Sequence, residues 1–155
     1  MEYLTLKWIH ILSAILLFGT GLGSAFYKFF TDRSGDVRAM AITNRLVVMA
    51  DWLITTPTII IQPITGFWMV YLLHYETLPG WVWYSLGLYL LAGVCWLPVV
   101  LLQIRMRDMA QGDGQKPTAT PPMSYQRMAR IWFWLGVPAF IAMVAVVWLM
   151  VFKPI

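Results

Sequence analysis

Apolar residues run almost unbroken through four stretches, residues 8–27, 46–73, 83–104 and 131–152, and two of these carry a line of polar side chains at helical spacing. Each stretch can cross a hydrocarbon core of roughly 30 Å, which takes about 20 helical residues. In the second, Asp51, Thr55, Thr58, Gln62 and Thr65 follow one another at four, three, four and three residues, so one helical face carries all of them. In the first, His10, Ser13, Thr20 and Ser24 share a face, with Leu17 filling the gap. Polar groups in a lipid-spanning helix turn toward protein, so the two stripes predict that helices one and two face each other. Run antiparallel, residues whose numbers sum to about 73 then lie at equal depth, with His10 near Pro63 and Asp51 near Leu22. The expected fold is all-α, a four-transmembrane-helix bundle forming a single integral membrane domain over residues 1–155.

Composition agrees. With 60% hydrophobic side chains, 12% charged residues and a mean hydropathy of +0.70, the chain is too apolar for an ordinary soluble domain. Lys28, Arg33, Arg38 and Arg45 fall in the connection 28–45. Arg105, Arg107, Lys116, Arg127 and Arg130 fall in the connection 105–130. Basic residues collect in cytoplasmic loops, so both connections are expected in the cytoplasm and both termini outside it, in the cytoplasmic (inner) membrane of a bacterium. The net charge of +4 is thereby a topology signal, and no basic patch interleaved with aromatics points to nucleic acid. The first apolar run is too long for a signal peptide and lacks an Ala-x-Ala site, so helix one is expected to stay. Cys95 is the only cysteine, which leaves no internal disulfide. Tyr3, Trp8, Trp81, Trp83, Tyr84 and Trp148 read as an interfacial belt. Gly and Pro between Gln111 and Pro122 predict a loop.

The stripes hold the candidate chemistry. Pro57 and Pro63 each remove a donor from helix two and free the carbonyls of Leu53 and Ile59, which neighbouring threonines can satisfy. Gly19, Gly21, Gly23, Ser24 and Ala25 predict a close backbone approach between helices one and two. Asp51 costs about 2.5 to 3.5 kcal/mol in the membrane unless paired or protonated. Lys28, Arg45, Arg105 and Arg130 are its candidate partners, and a carboxyl that relays protons is the alternative. His10 can hydrogen-bond Gln62, exchange protons or ligate haem iron. His74 lies too far along helix two to share an iron with it, and Met69, Met143 and Met150 are the candidate second ligands. No metal site, Gly-rich phosphate loop, HExxH or nucleophile elbow is present.

Residues 6–10 (LKWIH), Gly19-Thr20-Gly21, residues 33–36 (RSGD), Ala50-Asp51-Trp52, Thr56-Pro57, Gln62-Pro63 with Gly66, Trp96-Leu97-Pro98, residues 103–108 (QIRMRD) and Pro138 resemble a family of small bacterial integral membrane proteins catalogued as a domain of unknown function. The likeness covers almost the whole length and implies no activity. A fainter similarity, through Lys7-Trp8-Ile9-His10 and the glycine-containing span after it, runs to the HemJ-type protoporphyrinogen oxidases, four-helix proteins that use haem b. It implies His10 as an axial ligand, whereas that family's basic residue in a later helix has no clear counterpart here. Three functions follow as expectations. The first is an accessory or scaffolding membrane component, homo-oligomeric or bound to a membrane redox partner. The second is a haem b or porphyrin redox protein using His10. The third is a proton or small-solute pathway using Asp51.

Overall fold

The structure, a computed structural model, describes residues 1–111 and 122–153. Helix α1 spans Glu2–Ser34 and ends where Gly35 adopts a left-handed conformation, φ 72° and ψ 0°. A residue with a Cβ pays to sit there, so glycine is the natural terminator. Asp36 then caps the next helix, its Oδ1 accepting from the backbone N–H groups of Arg38 at 2.9 Å and Ala39 at 3.2 Å. Helix α2 covers Val37–Ala50, a π-helical segment covers Asp51–Thr55, and α3 covers Thr56–Leu72. Helices α4 (Gly80–Gln111) and α5 (Met123–Phe152) complete the described elements, and the loop expected between Gln111 and Pro122 lies outside the described residues.

The connection expected at 28–45 is therefore helical except at its glycine turn. The charges there do not interrupt α1. Lys28 and Asp32, one turn apart, form an ion pair of 2.8 Å that supports the helix. The connection expected at 105–130 likewise begins and ends in helix.

Four helices are long and apolar enough to cross a membrane: Glu2–Ser34, Val37–Leu72, Gly80–Ala110 and Met123–Phe152. The second is continuous through α2, the π segment and α3. Its buried residues, Met40, Asn44, Val47, Val48, Asp51, Thr55, Thr58, Gln62 and Thr65, lie along one face at steps of three and four residues, with Val47 and Val48 adjacent. The π segment, Asp51–Thr55, lies within that face. The N–H of Thr56 reaches the carbonyl of Asp51, five residues back. Pro57 has no N–H to give, which favours the irregularity at this place.

By contact the chain divides into two compact units, Met1–Glu76 and Thr77–Ile155. In the first, α1 packs along α2, the π segment and α3. In the second, α4 and α5 pack on each other, with Ala92, Val99 and Met106 among the buried residues of one helix and Trp132, Ala142 and Val146 among those of the other. Large apolar side chains such as Leu53, Val94 and Val151 are exposed, as residues solvated by acyl chains should be.

Candidate polar site between the first and second spans

The His10 ring is buried against α3, its Nδ1 lying 2.7 Å from the Thr65 hydroxyl oxygen. That hydroxyl also lies 2.7 Å from the carbonyl of Ile61. A helical threonine bonds back to the carbonyl four residues earlier, and with its single hydrogen given to Ile61 the hydroxyl accepts from Nδ1–H. In the neutral ring this leaves the lone pair on Nε2. The Gln62 side chain donates through Nε2 to the His10 carbonyl at 2.9 Å, and Ser13 donates to the Thr58 carbonyl at 3.3 Å. Each carbonyl has a second lone pair for such a bond while its helical one is kept. The Thr58 hydroxyl lies 2.8 Å from the carbonyls of Ile54 and Thr55, rather than turning to Leu53 or Ile59.

A second polar cluster, which the sequence reading missed as a site, closes the other end of the helix pair. Lys28 is fully buried, and its ammonium donates to Asp32 Oδ2 at 2.8 Å and to Asn44 Oδ1 at 2.7 Å. Beside it, the Thr43 hydroxyl meets that of Thr31 at 3.3 Å. Two signals would have found this cluster: the Lys28/Asp32 spacing of one helical turn, and the buried face of the second span carried back past Asp51 to Asn44. Residue numbers in every cross-helix pair sum to about 73, the antiparallel register of two straight rods.

The remaining candidates separate. Asp51 and Thr55 are buried in the π segment, and the Thr55 hydroxyl has no hydrogen-bond partner among the described residues. Thr20 and Ser24 are half-buried, and the Ser24 hydroxyl turns back to Gly21 of its own helix at 3.2 Å. The close approach expected at Gly19, Gly21 and Gly23 is absent: a Cβ at any of them meets nothing within 4 Å among the described residues. The buried α1 positions are instead Leu6, His10, Ser13 and Lys28. At Gly66 a Cβ would touch His10 Cε1 at 3.5 Å, an ordinary contact.

For a cofactor, His10 offers one ring nitrogen, Nε2, since Nδ1 is held against Thr65. His74 does not complete a pair. It stands at the end of α3 with φ 49°, exposed, its Nδ1 against the Leu72 carbonyl at 2.9 Å. Met69, half-buried one turn beyond Thr65, shares the first unit with His10, and Met143 and Met150 belong to the second. Among the described residues no group of three or more His, Cys, Asp and Glu could hold a metal ion.

The model of a family described as "Predicted integral membrane protein (DUF2269)" matches residues 4–154. No curated protein and no solved structure matches the chain. The chain belongs to this family of integral membrane proteins.

Proposed function

We propose that this member of the family serves as an accessory or scaffolding component of the membrane, its first unit a register-locked helix pair that presents a lipid-side face to a partner protein. The supporting observation is how the polar groups are used. His10, Ser13, Gln62 and Thr65 at one end, and Lys28 and Asn44 at the other, hydrogen-bond between the two spans. Interhelical bonds of this kind fix which faces meet and at what register, where hydrophobicity cannot discriminate between helix and lipid. Helices so fixed keep their outer faces constant, which is what a binding scaffold needs.

A second reading, haem b binding through His10, is favoured by the tautomer. The Thr65 contact occupies Nδ1 and leaves Nε2 as the nitrogen that would ligate iron, which would supply one-electron chemistry. One preparation tests both readings: protein purified in mild detergent from native, haem-replete membranes, with its absorbance spectrum and polypeptide composition measured. Scaffolding predicts colourless protein that carries a second polypeptide, or a second copy, in fixed stoichiometry. Haem binding predicts a Soret band that disappears in His10→Ala and survives in Gly66→Ala. A colourless monomer without companions would sink both.

A further inference from the structure

We propose that the corner between α1 and α2 is a binding site for anionic phospholipid headgroups, formed by Arg33, Arg38 and Arg45. All three side chains are exposed, and none makes an ion pair among the described residues. The two carboxylates of the corner are committed elsewhere. Asp32 holds the buried ammonium of Lys28, and Asp36 accepts the backbone N–H groups of Arg38 and Ala39. Lys28, the fourth cation of this stretch, is fully buried and takes no part. Three guanidinium groups are thus left facing outward at the end of two membrane-spanning helices.

Their surroundings select a lipid rather than a free anion. Phe26, Tyr27 and Phe30 are exposed on α1 just before Arg33, and Ile42, Leu46 and Met49 are exposed on α2 around and beyond Arg45. Arg38 and Arg45 stand two turns apart on one face of α2. The Arg33 guanidinium lies over the Phe29 ring, 5.3 Å from its centre, which restricts a side chain that would otherwise be mobile. Charged forks beside apolar side chains match a phosphate group joined to acyl chains. Guanidinium binds phosphate through two parallel hydrogen bonds, and each basic residue near a membrane surface adds to the attraction for anionic lipid.

Native mass spectrometry of the detergent-purified protein, offered equimolar phosphatidylglycerol and phosphatidylcholine of the same acyl composition, reads this site directly. The protein should retain phosphatidylglycerol over phosphatidylcholine by on the order of tenfold. That preference should fall toward unity in Arg33→Gln/Arg38→Gln/Arg45→Gln. The corresponding triple Lys variant should keep part of it, because the charge remains and the fork is lost. Lys7→Gln, at the opposite end of α1, should leave it unchanged. Equal retention of the two lipids by the native protein, or a preference that survives the triple Gln variant, would overturn the assignment.

Discussion

Removing the Lys28 ammonium would take from Asp32, whose side chain is 13% exposed, and from Asn44, 1% exposed, the donor that each now uses. Breaking a buried pair from one side is costlier than replacing both partners, because the remaining charge loses its counter-ion where solvent screening is poor. Lys28→Met is therefore expected to destabilise the protein by about 3 kcal/mol, and adding Asp32→Asn to it should restore part of the loss. Thermal unfolding in detergent checks the order. A double variant less stable than Lys28→Met alone would show that the pair does not act through the stranded carboxylate. The contrast between this cluster and the His10 contacts also shows what single residues disclose. Polar residues inside an apolar run stand out by their setting, so Asp51, Thr55, Thr58, Gln62 and Thr65 could be read as one face, and all are buried. Lys28 stands where an apolar run gives way to charge. A lysine there is ordinarily a boundary marker in water, and only the carboxylate one turn later and an asparagine on the next helix distinguish the buried case.

At the scale of elements, the buried positions of the second span share one face, which continues through Asp51 and Thr55 of the π segment. Deleting Ile60, which is exposed in regular α3, should rotate Gln62 and Thr65 by about 100° away from His10 and break their bonds. The expected result is a marked loss of thermal stability in detergent, which Ile60→Ala, keeping the register, should largely escape. A deletion as stable as the native protein would mean that those bonds do not hold the two spans together. The stripe can be followed from Thr65 back to Asp51 at regular spacing and continues through Val48 to Asn44, but Val48 is apolar, so the line of polar residues breaks there and Asn44 does not stand out. Helix ends were obscured for another reason. Charge marks the expected limit of α1, whereas the helix continues through Lys28, Asp32 and Arg33 until Gly35 supplies a left-handed residue. Pro57 and Pro63 marked the irregular helix correctly, yet only hydrogen bonding shows that one sits at a π segment and the other inside regular α3.

For the whole molecule, the spanning helices were legible because twenty or so consecutive apolar residues have few other uses, and the family description agrees that the protein is integral to the membrane. The expected direction of crossing rests on charge. Nine of the eleven basic residues fall in 28–45 and 105–130, whereas 74–82 contains none, so the positive-inside bias points both of those stretches to the cytoplasm. An alkaline phosphatase joined after Ile155 should accordingly be active, and a green fluorescent protein joined there should be dark. A reporter inserted at the Gly35 turn should give the opposite pair of signals, since α1 separates that turn from the N-terminus. The triple Gln variant of Arg33, Arg38 and Arg45 should report the same orientation. Most of the basic residues on that side remain, including the whole 105–130 set, and they still outnumber Lys7 and Lys153 at the other. Its loss of anionic lipid would then be a property of the headgroup site and not of an inverted protein. A dark-to-bright reversal at the C-terminus in the native chain would place the three arginines on the opposite side and show that the charge bias does not orient this protein.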